Sequence, residues 1–266
     1  MSTINKSKLS FELIIPIILD SIKLLLKNPI LILPKLLIAI LYGFGTLIAV
    51  DLSKQLFSFQ AFTSEQFLTF DFTNLFISCF FLLGLTISAF FIDLFFSGFY
   101  PILVSLALKK KLAFKEAFNL FKPKLVQIFL AGMIIWVLLT IISITEAAII
   151  IFFNLSDIGL ILSLIITFVF AFIFYFIYPK LVFENLPVQN VFTDSFAVSL
   201  KNKKLVFVLS LIPFSVSIIK FVLAYFSDST LFLVLFWGLV FITGLVYSIH
   251  AVVNQLAYIK ISNFKK

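Results

Sequence analysis

Residues 74–101 have the sequence NLFISCFFLLGLTISAFFIDLFFSGFYP, and this stretch decides the fold class of the chain. Asp93 is its single charged residue. The apolar run exceeds the about 20 residues that a helix needs to cross a hydrocarbon core of about 30 Å. Because apolar side chains cover every face of such a helix, its natural solvent is lipid. The stretch therefore predicts a transmembrane helix over residues 75–100.

The rest of the chain has the same character. Of its 266 residues 62% are hydrophobic, and the mean hydropathy is +1.22. A soluble fold of this length could not remove so much apolar surface from water. The sequence predicts an all-α membrane protein with six transmembrane helices, and the other five spans are expected at residues 30–50, 125–153, 158–180, 205–226 and 230–257.

The lysines indicate how these spans are oriented. All twenty basic residues are lysines, and eighteen of them lie on one side of the predicted membrane, in the termini, in the connections or at the adjoining ends of the spans. Cytoplasmic segments of membrane proteins are enriched in lysine and arginine. We therefore expect a multi-pass protein of a prokaryotic plasma membrane, with the N- and C-termini in the cytoplasm.

An internal repeat organises the chain as one membrane domain, residues 1–266. Tyr100-Pro101 and Tyr178-Pro179 end the second and fourth predicted spans, and Tyr258 ends the sixth. Each unit consists of an amphipathic helix, a lysine-containing turn and a hairpin of two spans that ends near a tyrosine. The three predicted repeats cover residues 9–108, 109–183 and 184–266.

The amphipathic helices are expected to lie in the cytoplasmic membrane interface. The first lies within residues 9–28, the second begins at Phe114, and the third begins near Pro187. Helical spacing predicts one apolar stripe on each of the last two, formed by Phe114, Ala117, Phe118 and Phe121 and by Val188, Val191, Phe192 and Phe196.

This pattern resembles poorly characterised prokaryotic six-helix membrane families, in which an aromatic-rich amphipathic helix ends in Lys-Asn-Pro before the first span, as at Lys27-Asn28-Pro29. One such domain precedes the catalytic domain of some glycerophosphodiester phosphodiesterases. The resemblance implies the membrane architecture. Because the chain ends at Lys266, we expect the catalytic domain of those enzymes to be absent.

Ionisable residues inside the predicted spans are candidate functional residues, because burying a charge in lipid is costly. Asp93 among phenylalanines would suit proton coupling, but a lysine from a cytoplasmic turn could instead pair with it. Glu146 and Lys220 lie in the outer third of their spans and could pair, or Lys220 could extend to the surface. His250 and Asn254 favour interhelical hydrogen bonds, with a proton relay as the alternative.

Two weaker signals concern helix packing. Gly84 and Ser88 form a small-xxx-small pair, which is typical of close helix contacts. Pro34 and Pro213 are expected to kink the first and fifth spans.

The remaining residue types bear on chemistry and partners. One cysteine, Cys79, and one histidine cannot form a metal site alone, and no catalytic motif is present. The chain has no arginine, the usual clamp for phosphate and nucleic acid. We expect no enzymatic activity, cofactor, metal or nucleic acid. The expected partners are anionic lipids of the cytoplasmic leaflet, with a second copy or another membrane protein possible, and the expected headgroup contacts are Lys109, Lys110, Lys111, Lys122, Lys201, Lys203 and Lys204.

The function predicted first is structural or accessory. Transport of a small solute or ion through Asp93 is the alternative.

Overall fold

The computed structural model describes residues 12–59, 72–152, 165–166, 168–184, 186–225 and 230–263. Nearly all of these residues are helical and none is in a strand, which confirms the all-α prediction. In chain order the helices are α1 (Ile14–Lys27), α2 (Leu33–Phe59), α3 (Phe72–Leu108), α4 (Phe114–Phe121), α5 (Leu125–Phe152), α6 (Ile177–Glu184), α7 (Val188–Lys201), α8 (Lys203–Tyr225) and α9 (Thr230–Asn263). Short 3₁₀ turns at Pro29–Leu31 and Lys122–Lys124 lead into α2 and α5.

Four segments of the described residues are long and apolar enough to cross a membrane: Pro29–Leu52, Phe72–Leu108, Phe114–Ile142 and Leu233–Ser262. They support a membrane protein and correspond to the first, second, third and sixth predicted spans. The fifth span is helical from residue 205 to residue 225, as part of α8, but is not among the four. Most of the first half of the fourth span, and residues 60–71 of the first outer connection, lie outside the described residues.

Prolines act differently from the prediction at two places. Helix α3 continues through Pro101 to Leu108, so the second span does not end at Tyr100. Pro34 is the second residue of α2, where the missing N–H costs no helical hydrogen bond, so it does not kink the helix interior. Pro213 lies inside α8 as predicted.

The chain divides into two compact units, of which the first comprises Met1–Leu31, Leu94–Phe214 and Ile249–Lys266. In this unit α3 and α5 approach closely at two glycines. A Cβ on Gly98 would lie 2.5 Å from Ile128 Cγ2, and a Cβ on Gly132 would lie 2.0 Å from Leu94 Cδ1. Each glycine thus receives a buried side chain of the other helix, which is how membrane helices gain van der Waals contact.

The second unit comprises Ile32–Asp93 and Ser215–Ser248, and α2 and α9 make the same kind of contact there. A Cβ on Gly43 would lie 3.0 Å from Val240 Cγ2, and one on Gly244 would lie 2.9 Å from Leu36 Cα. Ala39, Phe236 and Val240 form a buried cluster beside these glycines.

Candidate functional site

Three helices of the first unit, α1, α4 and α7, occupy the segments where the sequence predicts amphipathic surface helices, and each has buried residues on one face. The buried residues are Ile14, Ile17, Ser21, Leu24 and Leu25 in α1, Ala117 and Phe121 in α4, and Val191, Ser195, Val198 and Ser199 in α7. Helix α4 therefore has the fewest buried residues of the three.

The residues of the apolar stripes predicted for α4 and α7 differ in burial. Ala117, Phe121 and Val191 are buried, but Phe114, Phe118 and Phe196 are between 41% and 45% exposed. Small residues, including serines, take part of the buried faces of the two helices. That the stripes lie in the membrane interface stays a prediction. The large apolar side chains left exposed on the three helices are Ile15, Leu19, Leu26, Phe114, Phe118, Leu120, Phe196 and Leu200.

The lysines named as headgroup contacts are all exposed: Lys109, Lys110, Lys111, Lys122, Lys201, Lys203 and Lys204. The first three follow the C-terminus of α3, whose dipole favours positive charge. Lys110 has a φ of 55°, and the N–H groups of Lys110 and Lys111 donate to the carbonyls of Ala107 and Leu106. This is a Schellman cap, in which glycine usually takes the left-handed position. A lysine there is sterically unfavourable.

Helices α1 and α7 end in the same way. The side chain of Asn28 donates from Nδ2 to the Leu24 carbonyl at 3.0 Å, and that of Asn202 donates to the Val198 carbonyl at 2.9 Å. The backbone N–H of each asparagine also donates to the same two positions of its helix. When these caps are aligned, the buried residues 17, 21, 24 and 25 of α1 coincide with 191, 195, 198 and 199 of α7.

The same alignment places Asp20 opposite Asp194, and both form ion pairs with a lysine two residues after a tyrosine. Lys180 Nζ lies 3.5 Å from Asp194 Oδ2, and Lys260 Nζ lies 2.7 Å from Asp20 Oδ2. These lysines follow the tyrosines at 178 and 258. The two surface helices are therefore each joined by a carboxylate to the chain segment that ends a predicted hairpin.

Lys180 is the more deeply placed of the two lysines, with 4% of its side chain exposed. It also contacts Glu184 Oε2 at 2.6 Å, and the Tyr258 hydroxyl donates to the other oxygen of Glu184. This group connects α6, α7 and α9. A buried ammonium is costly unless paired, and two carboxylates meet that requirement.

This network was not predicted from the sequence, although two signals for it are present. Lys180 and Glu184 are spaced i,i+4, and Asp20 and Asp194 each lie seven residues before a Lys-Asn pair. The tertiary pairing of Lys260 with Asp20 has no local signal.

Asp93 forms an ion pair in the second unit. Lys35 Nζ lies 2.5 Å from Asp93 Oδ1, with 12% and 35% of the two side chains exposed. Tyr42 lies within electrostatic range of Asp93. A lysine pairs with Asp93, as the alternative expects, but Lys35 lies in α2 within the first predicted span and not in a cytoplasmic turn.

Asn254 supports a break in the backbone of the first unit. Residues 174–176 form a turn before α6, and Pro179 lacks the N–H that a continuous helix would direct to the carbonyl of Tyr175. Asn254 Nδ2 donates to that carbonyl at 2.6 Å. The ring of His250 contacts the ring of Tyr175, with centroids 5.5 Å apart. Asn254 therefore joins α9 to the turn before α6 by a hydrogen bond.

Glu146 lies in α5 and Lys220 in α8, but their side chains are outside the described part of the structure. Their pairing stays a prediction. Within the described residues no three histidine, cysteine, aspartate or glutamate side chains are grouped so that they could hold a metal.

Comparison of the chain with protein-family models, curated proteins and solved structures found no match. The proposed function therefore rests on the contacts and charges of the chain itself.

Proposed function

We propose that the chain is a structural or accessory membrane protein without enzymatic activity, which engages anionic phospholipid of the cytoplasmic leaflet through α1, α4 and α7. One observation carries this proposal. Each surface helix packs one face on the first unit while exposing large apolar side chains, and exposed lysines adjoin the helices. Such a surface matches the boundary between acyl chains and acidic headgroups.

The topology that we propose is six spans in three hairpin repeats, with both termini in the cytoplasm of a prokaryotic cell. The matching asparagine caps of α1 and α7 support the repeat, as do the matching ion pairs of Asp20 and Asp194. The one-sided lysine distribution supports the orientation. The resemblance to the membrane domain of some glycerophosphodiester phosphodiesterases concerns this architecture and stays a prediction.

The energetic argument rests on the lysines. A lysine close to an anionic leaflet contributes about 1 kcal/mol, so a group of three adjacent exposed lysines would enrich acidic lipid strongly around the protein. Lys109, Lys110 and Lys111 form such a group. The effect is electrostatic and should weaken as salt is added.

Native mass spectrometry of the protein released from nanodiscs of mixed phosphatidylcholine and phosphatidylglycerol tests the proposal. We expect phosphatidylglycerol to be retained preferentially by the wild type. The Lys109→Gln, Lys110→Gln, Lys111→Gln triple variant should retain several-fold less. Lys54→Gln is the control, because the charge asymmetry places Lys54 on the opposite side. Equal retention by the wild type and the triple variant would contradict the proposal, and a reproducible dimer or protein partner would show in the same spectra.

Transport of a small solute or ion is the second candidate, and the Lys35–Asp93 contact is the observation in its favour. Both residues lie in segments able to cross a membrane, and charges at such positions are often functional. Asp93→Asn should then abolish flux of a coupled proton into proteoliposomes. If the wild type carries no flux, or if the variant carries the same flux, transport through Asp93 is excluded.

A further inference from the structure

The three surface helices differ in what holds them to the rest of the chain. Helix α1 is joined to α9 by Asp20 and Lys260, and α7 is joined to α6 by Asp194 and Lys180. Each is fourteen residues long and has at least four buried residues. Chain contacts, both polar and apolar, therefore anchor α1 and α7.

Among the described residues, helix α4 has no equivalent ion pair. The position two residues after Tyr100 is Ile102, where Lys180 and Lys260 follow the other two tyrosines. Tyr100 lies 78 residues before Tyr178, and Glu116 lies the same distance before Asp194. Glu116 is exposed and has no ion-pair partner among the described residues. Helix α4 has eight residues. Phe121 at its C-terminal end has ring contacts with Phe95 and Phe99 at centroid distances of 5.0 and 5.2 Å, whereas Phe114 at its N-terminal end contacts Phe99 at a longer distance of 6.5 Å.

The charge around α4 is also different. Residues 109–124 contain six lysines and one carboxylate, that of Glu116. Around α1, residues 12–28 contain two lysines and two carboxylates. Lys109, Lys110, Lys111, Lys115 and Lys122 are exposed and form no ion pair with the described residues. The helix with the weakest internal anchor thus has the greatest excess of positive charge.

We propose that anionic phospholipid supplies the anchor that the chain omits at α4. The acidic headgroups bind the lysines on both sides of the helix and hold Phe114 and Phe118 in the interface. In a leaflet without acidic lipid the first turns of α4 open, while α1 and α7 stay closed. This inference rests on the proposed contact with anionic lipid and adds that α4 is the element whose order depends on it.

Amide hydrogen exchange read by mass spectrometry tests this in nanodiscs of phosphatidylcholine alone and of equal parts phosphatidylcholine and phosphatidylglycerol. Local opening of a helix appears as faster exchange of its amides. We expect residues 114–121 to exchange at least about tenfold faster without phosphatidylglycerol, since several lysines at about 1 kcal/mol each are involved. Residues 14–27 and 188–201 should change by less than about twofold.

Two variants separate the causes. The Lys109→Gln, Lys110→Gln, Lys111→Gln protein in the mixed lipid should exchange in α4 as the wild type does in phosphatidylcholine. Asp20→Asn should speed exchange of α1 in both lipids and leave α4 unchanged. Equal exchange of α4 in the two lipids would overturn the inference even if the wild type retains phosphatidylglycerol preferentially in native spectra. Equal retention of phosphatidylglycerol by the wild type and the triple variant would instead refute the proposed function.

Discussion

The two halves of α3 have similar composition and opposite surroundings. Residues 72–88 include no buried residue, and Phe76, Phe80 and Phe81 are more than half exposed. Among residues 89–108 eleven are buried, namely Ala89, Leu94, Gly98, Phe99, Tyr100, Pro101, Ile102, Leu103, Val104, Leu106 and Ala107. Hydropathy cannot distinguish a lipid-facing phenylalanine from a packed one, because lipid and protein interior are both apolar.

The two halves also differ in the space around their glycines, Gly84 and Gly98. Among the described residues no atom lies within 4 Å of a Cβ built on Gly84, in the exposed half, whereas one built on Gly98 would overlap Ile128. Close approach of two membrane helices requires a small residue at the contact. The small-xxx-small pair of Gly84 and Ser88 is therefore not used within the described part of the chain.

The largest expected effect comes from filling the packed glycine. Gly98→Ala places a methyl group against Ile128, which is fully buried and stiff at χ1. Overpacking of this kind costs about 1–3 kcal/mol, measured as a loss of unfolding free energy in detergent micelles. Gly132→Ala, on the facing helix, should behave similarly. A stable Gly98→Ala protein would mean that α3 and α5 can separate without cost.

The bounds of α5 were predictable from the sequence. The predicted span of residues 125–153 agrees with the helix Leu125–Phe152, because a lysine precedes this apolar run and polar residues follow it. The end of α3 was not predictable from Tyr100-Pro101, which resembles a helix terminus. Residues beyond Pro101 are buried, and that tertiary contact keeps them helical.

The candidate site was predictable only where it depends on charge at the surface. Exposed lysines follow from the cost of burying them, and their places near helix ends follow from the sequence. The partners of Asp93, Asp20 and Asp194 depend on which helices are neighbours. Lys260 lies 240 residues from Asp20 along the chain, so no local pattern relates the two.

A hydroxyl in each half of α3 gives an intermediate effect. Tyr100 donates to the Leu31 carbonyl, and this bond is buried, while Thr86 donates to the Leu82 carbonyl of its own exposed turn at 2.7 Å. Tyr100→Phe removes a tertiary donor from the buried half, at a cost of about 1 kcal/mol. Thr86→Val should change the unfolding free energy by less than about 0.5 kcal/mol, since the Leu82 carbonyl keeps its helical bond. Equal losses in the two variants would remove the distinction between the halves.

The smallest expected effect belongs to the open glycine, and it tests what covers the exposed half. Gly84→Ala meets no described atom and removes backbone freedom from the unfolded chain, so unfolding free energy should stay equal or rise by up to about 1 kcal/mol. If lipid alone covers this face, the variant and the wild type should also have the same oligomeric state when native mass spectrometry measures them from nanodiscs. A loss of stability as large as that of Gly98→Ala, accompanied by loss of a dimer, would instead place a second copy against Gly84 and Ser88. The same substitution therefore decides whether the exposed half of α3 is a lipid surface or an interface between chains.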